Sequence, residues 1–550
     1  MTFNSIEFVV FFGVTYFLYR LLPLGGQNLI LLIASYVFYA SWDVRFVFLL
    51  VLSTVVDFCC GSMIETGRLT GSKRRLASLF LVLAAFLCVT VQWDAVVFRT
   101  KPIALSVQWA KLLPTSLSGW LVLLGALALV AAANLLYPRF TSLPEEQRRK
   151  LFLWLSIGTN LALLGFFKYF NFFISSAEGF ISALGIHAEF LHLNIVLPVG
   201  ISFYTFKTIS YTVDIYRGKI QAAQRFLDFA LFLAYFPPLL AGPIDRASSL
   251  LPQLSNPRQI TFKQSAEGVF LLLFGLFKKV AISDGVADSV NAIYGTSGVV
   301  SWMDVVLATF LYTVQIYCDF SGYSDMARGV SKLFGIELMV NFNLPYFSKD
   351  PSEFWRRWHI SLSTWLRDYL YISLGGNRQG NRRTYLNLMT TMVLGGLWHG
   401  AAWNFVLWGF YQGTLLCVYR AFNLNPSKQV PANNAIRVLR SLVTTLFFFL
   451  LTCYGWLLFR ATSLVQITTF TKILVVDFGN LTSTLPKPPL PTLLGIPLLM
   501  GYEFLEYQAN KADFYRRFPT PARAALYAAL IIILLMGESN APAQFIYSQF

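Results

Sequence analysis

Hydrophobic stretches recur along almost the entire chain, separated by short polar loops. A helix that crosses a bilayer needs about 20 consecutive, mostly apolar residues. By that criterion the pattern predicts membrane helices over residues 6–22, 28–42, 44–63, 76–98, 116–137, 151–175, 194–213, 226–242, 266–283, 302–318, 384–422, 436–459, 489–507 and 522–537. The first stretch has neither the basic start nor the small-residue cleavage site of a signal peptide, so we expect it to be retained. The pattern therefore predicts an all-α polytopic membrane protein.

Two segments depart from simple spans. The stretch 384–422 is too long for one span, and Gly395, Gly396 and Gly400 interrupt it. It predicts two helices that meet inside the membrane, a re-entrant arrangement that is allowed only where the break is buried in protein. Segment 341–383 instead alternates aromatic and basic residues too densely for a span. This alternation favours helices that lie at, or dip into, the cytosolic interface.

Composition agrees with a membrane protein. Hydrophobic residues make up 56% of the chain and charged residues only 13%, whereas a soluble protein carries about a quarter charged residues. The net charge of +16 would indicate a nucleic-acid partner in a soluble protein. Here the basic residues stand in short loops between apolar spans, so we expect membrane lipids as partners and no nucleic acid. The six cysteines lack the spacing of a metal or disulfide set, so no metal is expected.

The basic loops predict an orientation in the membrane. Arg74 and its basic neighbours follow the third span, and Arg149 and its neighbours precede the sixth. Both clusters are expected in the cytoplasm, because positive charge is retained on that side. Counting back along the spans places the N-terminus on the outer side, together with segment 96–115.

His399 is the most informative of the four histidines because it lies inside an apolar stretch, beside Trp398 and close to Asn404. A titratable side chain in such a place is costly to bury and is a functional hypothesis by default. Its neutral imidazole is suited to take a proton from a hydroxyl that attacks a thioester. We therefore expect His399 to be catalytic, with Trp398 and Asn404 lining the site. The alternative is a core histidine that is hydrogen-bonded across helices.

The basic-aromatic segment supplies candidates for donor binding. Its arginines are suited to pair with phosphate groups, and its tryptophans to stack on an adenine ring. These candidates are Arg356, Arg357, Arg367, Trp355 and Trp358. The arginines are equally suited to anchor anionic lipids, and the residues alone leave both roles open. His359, in the same segment, would by itself more often be an interface histidine than a catalyst.

Two carboxylates, Asp319 and Asp325, stand close to an apolar span with Tyr323 between them. Carboxylates in such a setting need partners. We expect Asp319 and Tyr323 to line the site or to orient a histidine or an arginine. The alternative is helix capping at the membrane edge, which suits Asp325 in particular.

Several sequence strings occur in a recognisable order. They are LPVGISFYTF at 197–206, AGPI at 241–244, DFSGYSDMA at 319–327, FWRRWHISL at 354–362, LGGLWHGAAWN at 394–404 and FIYSQF at 545–550. In this order and spacing the chain resembles the membrane-bound O-acyltransferase family, and specifically its alginate O-acetylation branch. The resemblance covers most of the chain from about residue 151 onward, and the first three spans.

The resemblance implies a fold and a chemistry. The family fold is a ring of tilted helices around a funnel that narrows at the midplane, where a cytosolic acyl donor and an acceptor from the opposite side reach a buried histidine. His399 corresponds to the invariant family histidine, and His359 to the second one; both are thus expected to be catalytic. In the alginate branch the acceptor is an exported polysaccharide, reached through a periplasmic or membrane-anchored acetyltransferase partner.

The chain also departs from the pattern of that branch. Residues 72–146 contain two apolar spans where a short loop is expected, Lys207 replaces a glutamine, and Asp245 replaces an apolar residue. We expect a single integral membrane domain over residues 1–550. Its parts are the N-terminal helices 1–71, the inserted helix pair 72–146, the catalytic core 151–422 and the C-terminal helices 436–550.

The sequence therefore predicts an O-acyltransferase of the bacterial inner membrane. We expect it to move acetyl groups from cytosolic acetyl-CoA, or from another acyl thioester, for O-acetylation of an exported polysaccharide, with no bound cofactor. One alternative is a D-alanyl, lipid or protein O-acyltransferase on the same fold. The other is a transporter or flippase in which His399 and Asp319 line a permeation path, although we find no inverted repeat of the kind common in transporters.

Overall fold

The computed structural model describes residues 1–100, 103–186, 190–296, 298–424, 434–510 and 514–537, and most of them are helical. The prediction of an all-α membrane protein is confirmed. The C-terminal string at 545–550 and His187 lie outside the described residues.

The α-helices of the described residues follow one another along the chain. In the first half of the chain they are α1 (Ile6–Leu21), α2 (Leu24–Ala40), α3 (Val44–Glu65), α4 (Gly71–Ala85), α5 (Leu121–Thr141), α6 (Glu145–Leu164), α7 (Phe170–Ala183), α8 (Ile201–Tyr216), α9 (Phe226–Ala234), α10 (Phe236–Leu239) and α11 (Ala247–Ser255). In the second half they are α12 (Phe262–Leu276), α13 (Gly285–Tyr294), α14 (Trp302–Leu333), α15 (Pro351–Arg357), α16 (Ile360–Trp365), α17 (Gly380–His399), α18 (Trp403–Ala421), α19 (Asn434–Arg460), α20 (Leu464–Val476), α21 (Leu490–Ala509) and α22 (Thr520–Met536).

Some helical segments are wound differently. π-helical turns extend the α-helices at Phe86–Thr90, Gly165–Tyr169, Phe277–Asp284 and Leu366–Tyr371. Short 3₁₀ turns occupy Trp93–Ala95, Trp109–Lys111, Leu117–Trp120, Pro345–Phe347 and Phe514–Arg517. π-turns interrupt the regular hydrogen-bond ladder and are frequent at functional sites.

One antiparallel hairpin lies between α4 and α5. Its strands are β1 (Val96–Thr100) and β2 (Ile103–Val107), with Val96 opposite Val107. The prediction that the fourth span extends to residue 98 is therefore wrong at its C-terminal end, since the helix gives way to extended chain there. β-branched residues such as Val96 and Val107 pack well on a pleated strand, which favours this outcome.

Five helical segments of the described chain are long and apolar enough to cross a membrane: Val44–Glu65, Leu117–Thr141, Glu145–Ala183, Trp302–Leu333 and Ala435–Arg460. Several of the other predicted spans are shorter or broken. The stretch 226–242 divides into α9 and α10 at Tyr235, just before two prolines. The stretch 194–213 becomes helical only at Ile201, after Pro198. Proline cannot donate a helix hydrogen bond and disfavours helical geometry in the preceding residue.

The prediction of two helices over 384–422 is confirmed. Helix α17 ends at His399 and α18 begins at Trp403, while Gly395 and Gly396 remain within α17. The break thus falls at Gly400–Ala402, immediately after the histidine. This places the imidazole at a helix terminus, where the backbone can turn.

The chain forms two compact units. The N-terminal unit comprises residues 1–170, 192–240 and 244–259, and the C-terminal unit comprises 171–191, 241–243 and 260–550. The single domain and the funnel expected from the resemblance stay predictions.

A buried polar network lies inside the N-terminal unit. Ser156 on α6 donates to the Asp57 carboxylate on α3 at 2.5 Å, and the Asn160 amide donates to its other oxygen at 2.9 Å. Ser156 and Thr212 on α8 are 2.9 Å apart. These bonds satisfy polar groups that would otherwise be unpaired among apolar helices. Lys207 and Asp245, the two departures from the branch pattern, are both buried in this unit.

Helix α14 is the longest element of the C-terminal unit and its start is well defined. The Ser301 hydroxyl accepts from the backbone N–H of Asp304 at 3.0 Å, and the Asp304 carboxylate accepts from the Ser301 N–H at 3.1 Å. This reciprocal capping box satisfies N–H groups that lack helical partners. α15 begins in a similar way, because Asp350 accepts from the Glu353 N–H at 2.8 Å and proline follows at the first helical position.

Candidate active site

His359, which directly precedes α16, and His399, the last residue of α17, share Trp398 as a neighbour. The ring centroids of His359 and Trp398 are 5.9 Å apart, and those of Trp398 and His399 are 5.0 Å apart. Both histidines are buried, with 0% and 4% of their surfaces exposed. Three of the residues expected at the site, two histidines and a tryptophan, are therefore in one cluster.

His399 is enclosed by aromatic rings. Its ring centroid lies 5.1 Å from that of Trp408 and 5.3 Å from that of Phe459, both nearly perpendicular to it. The Asn404 amide donates to the carbonyl oxygens of Phe459 at 3.2 Å and Ala461 at 3.0 Å. Asn404 therefore ties the start of α18 to the end of α19, which fixes one wall around His399.

The backbones of α17 and α18 touch next to this cluster. A Cβ atom on Gly396 would collide with the carbonyl oxygen of Phe405 and stand 3.0 Å from the Cα of Gly409. Only glycine permits this separation at Gly396. The close approach holds Trp408, on α18, against His399 at the end of α17.

His359 is held in an uncommon backbone conformation. Its φ of 43° is in the left-handed region, and it directly precedes α16. Such a conformation costs a non-glycine residue on the order of 1–3 kcal/mol and persists only where the surroundings fix it. The backbone N–H of Ile360 donates to the Asn341 carbonyl at 2.9 Å, and that of Ser363 to the His359 carbonyl at 2.9 Å.

The surroundings of His359 differ from the expected interface. The imidazole has no exposed surface and meets the Phe320 ring edge-on at 4.6 Å. Because the aromatic side chains of the segment fold inward, the alternation of aromatic and basic residues places the histidine inside the protein. His359 lies outside the five long apolar helices, and burial together with the neighbouring His399 holds its pKa well below the usual histidine range. The imidazole is therefore neutral at pH 7.

The three arginines expected to bind a donor have different surroundings. Arg356 is exposed at the end of α15. Arg357 pairs with Glu353 at 3.0 Å and donates to the Asn343 carbonyl at 3.1 Å. Arg367 is largely exposed and pairs with its neighbour Asp368 at 2.7 Å. Arg356 and Arg367 are thus accessible, whereas Arg357 is used to connect two parts of the segment.

The two tryptophans expected to stack on adenine are not equivalent. Trp358 is only 1% exposed, and its ring stacks on Phe354 at 5.6 Å and lies 4.7 Å from Trp456. Trp355 is half-buried and lies 5.9 Å from Trp408, which itself borders His399. Trp358 is therefore part of the aromatic core, and Trp355 is the more accessible of the two.

Asp319 lies within α14 and forms a buried ion pair. Lys279 places its Nζ 2.6 Å from an Asp319 oxygen and 2.8 Å from an Asp284 oxygen. Neither Asp319 nor Asp325 is at a helix terminus, so the capping alternative is wrong for both. Asp325 pairs instead with Lys278, and Tyr323, one turn after Asp319, is also buried.

Two residues near the site were not predicted from the sequence. Lys279 stands inside an expected span, where any charge requires a buried partner, and that signal was available. The side-chain oxygen of Asn341 lies 3.1 Å from Nδ1 of His359, and nothing in the local sequence of Asn341 indicates this contact.

The amino-acid sequence can be compared with those of known proteins. Residues 223–454, which include both histidines, match the model of MBOAT, the membrane-bound O-acyltransferase family. The chain is 45% identical over 352 residues to a probable alginate O-acetylase of Azotobacter vinelandii, covering 64% of this chain and 68% of that protein. The chain belongs to the membrane-bound O-acyltransferase family. The predicted resemblance is confirmed, and the protein is an O-acyltransferase of the membrane rather than a transporter.

Further members of the family are similar over comparable lengths. A probable alginate O-acetylase of Pseudomonas putida is 43% identical over 376 residues, which cover 67% of this chain and 74% of that protein. The peptidoglycan O-acetyltransferase of Helicobacter pylori is 40% identical over 299 residues, which cover 49% of this chain and 56% of that protein. These relatives differ in the polymer that their names specify.

Proposed function

We propose that this member of the family is an O-acetyltransferase that takes acetyl groups from cytosolic acetyl-CoA and passes them toward an exported polysaccharide. The observation that carries the proposal is the buried pair of histidines around Trp398, inside the segment that matches the family. The names of the relatives support acetyl as the group and an exported polymer as the acceptor.

In the proposed reaction His399 is the general base. Its neutral imidazole takes the proton of an acceptor hydroxyl while that oxygen attacks the carbonyl carbon of the thioester. The carbon–sulfur bond then breaks, and the imidazolium returns the proton to the departing thiolate. Atoms and charge balance without a bound cofactor. The alternative, in which His399 is itself transiently acetylated, requires the same buried imidazole.

The neighbouring residues have supporting roles in the proposal. His359 acts beside His399 as a second catalytic group that orients the reacting molecules. Arg356 and Arg367 are accessible and bind the donor phosphates, with Trp355 close to the adenine. Trp398 neighbours both imidazoles, while Asn404 and Asp319 hold the surrounding helices in place. Trp358, Arg357 and Tyr323 support the same walls from inside the protein.

The proposal includes a location and a partner. The protein resides in a bacterial inner membrane, with its N-terminus on the outer side and the donor side in the cytosol, as the distribution of basic loops favours. A periplasmic or membrane-anchored acetyltransferase, or the polysaccharide itself, receives the acetyl group.

Turnover of labelled acetyl-CoA by the purified protein tests the proposal. The wild-type protein should release coenzyme A in the presence of an O-acetylatable polysaccharide or partner fraction. The rate of coenzyme A release by His399→Ala should be about 10²–10⁴-fold lower, as expected when a positioned base is removed. His192→Ala is the matched control, because His192 is exposed and belongs to the N-terminal unit, whereas His359 and His399 belong to the C-terminal unit. Wild-type rates in His399→Ala, with the protein folded, would disprove the assignment.

A further inference from the structure

Asn341 makes an unusual set of contacts beside His359. Its side-chain oxygen accepts from the backbone N–H of Ser361 at 3.2 Å and from the Ser361 hydroxyl at 2.9 Å. The same oxygen lies 3.1 Å from Nδ1 of His359. All three residues are buried, with at most 1% of their surfaces exposed.

The orientation of the Asn341 amide follows from these contacts. The oxygen and nitrogen of an amide are usually assigned from their hydrogen-bond partners. A backbone N–H can only donate, so the Asn341 atom that faces the Ser361 N–H must be the acceptor oxygen. The amide nitrogen then points to the Ser324 hydroxyl, 3.4 Å away. A flipped amide would bring two N–H donors face to face in a buried place.

The tautomer of His359 follows in turn. A neutral imidazole carries hydrogen on one nitrogen and a lone pair on the other. If Nδ1 bore the lone pair, it would face the lone pairs of the Asn341 oxygen at 3.1 Å. If Nδ1 bears the hydrogen, it donates to that oxygen. The Ser361 hydroxyl is 3.4 Å from Nδ1 and already donates to Asn341, so it is a poor alternative partner for the ring.

We infer that Asn341 is a positioning residue that fixes His359 in the Nδ1–H tautomer, so that Nε2 is the acceptor nitrogen presented to the reacting molecules. The inference rests on the proposed function only for its catalytic consequence. An acceptor Nε2 can receive a hydrogen bond or a proton from a hydroxyl, and it cannot donate to a carbonyl oxygen. His359 therefore works on the hydroxyl side of the transfer, as an anchor that orients the attacking group for deprotonation by His399.

The tautomer can be measured without any turnover. Protein labelled with ¹⁵N-histidine in lipid vesicles contains four histidines, and His359→Gln identifies the signals of that ring by their loss. At pH 7 we expect a protonated Nδ1 and an unprotonated Nε2. Asn341→Ala should abolish this preference and produce a mixture of tautomers. Ser361→Ala, the matched control, should retain the Nδ1–H form. A protonated Nε2 in the wild type, or loss of the preference in Ser361→Ala alone, would overturn the inference.

Activity gives a second readout that a purely structural role would not produce. Asn341→Ala should lower kcat by roughly tenfold or more with little change in KM, as loss of a partner that orients a functional histidine does. Asn341→Asp keeps the acceptor oxygen and should recover part of kcat. Its carboxylate also stabilises the imidazolium, so the acidic limb of the pH–rate profile should move to higher pH. An unchanged profile in Asn341→Asp would contradict the positioning role. If the wild type turns over no acetyl-CoA, the proposed function fails, while the tautomer measurement still decides this inference.

Discussion

Gly396 on α17 faces the backbone of Phe405 on α18 so closely that no side chain fits between them. A Cβ at Gly396 would collide with the Phe405 carbonyl oxygen, and backbone cannot move aside as a flexible side chain can. Gly395, the adjacent residue, is different. A Cβ there would stand 3.2 Å from Cδ1 of Leu366, the far end of a flexible side chain. An added methyl group is therefore expected to disturb the packing at Gly396 but to be tolerated at Gly395.

Gly396→Ala should lower both the unfolding temperature in detergent and the rate of transfer. Overpacking of this kind costs about 1–3 kcal/mol or more, because the two helices must separate. Separation also moves Trp408 away from His399. Gly395→Ala is the matched control and should change both quantities much less. Similar losses in the two variants would show that the close contact between α17 and α18 is not what positions Trp408 against His399.

The ion pairs of Lys279 with Asp319 and Asp284 predict an order of stability among variants. Lys279→Met leaves the carboxylates of Asp319 and Asp284 buried without their shared cation. Removing one partner of a buried ion pair destabilises by about 3–5 kcal/mol. Asp319→Asn instead leaves Lys279 paired with Asp284 at 2.8 Å. Thermal unfolding in detergent should therefore show a larger loss for Lys279→Met than for Asp319→Asn. The reverse order would mean that Asp284 is not an effective partner of Lys279.

The identity of the donor can be tested through Arg356. Coenzyme A carries phosphate groups that arginine binds through charge-assisted hydrogen bonds. If acetyl-CoA is the direct donor, free coenzyme A should compete with it, and Arg356→Ala should raise the inhibition constant severalfold. Arg437→Ala, which removes another exposed arginine outside the segment, should leave the competition unchanged.

An acylated carrier protein is the competing donor. It would dock its acidic surface on the same arginines, and raised salt would suppress transfer by screening those charges. Free coenzyme A would then inhibit weakly. Turnover that depends on an acylated carrier protein, and not on acetyl-CoA, would indicate that the protein is a D-alanyltransferase rather than an acetyltransferase.

The predicted orientation places the hairpin between α4 and α5 outside the cell. Ser106 lies on β2 and is exposed. A cysteine at this position should react with a membrane-impermeant thiol reagent in intact cells, above the level given by the six native cysteines. Permeabilised cells provide the reference for full labelling. Labelling that occurs only after permeabilisation would place the hairpin in the cytoplasm and invert the predicted topology.

The sequence predicted most of the fold because hydrophobicity over about 20 residues is a local property. It placed the break between α17 and α18 within one apolar stretch, because glycines in such a stretch are themselves a local signal. The sequence-based prediction was wrong where a few residues can form either a helix or a strand, as at Val96, which begins β1. It also overestimated the helical extent near Pro198 and Tyr235, where single residues decide whether the backbone can continue as a helix.

The sequence by itself determined that His399 is a site candidate, because a histidine in an apolar helix is recognisable from its neighbours alone. Only the tertiary structure decided that His359 is buried rather than interfacial, since the same alternation of aromatic and basic residues fits either a membrane surface or an inward-folded segment. Only the tertiary structure joined Lys279 to Asp319 and Asn341 to His359. Such pairs depend on the packing of helices that are distant in sequence, and the preferences of single residues carry no information about which distant partner each one meets.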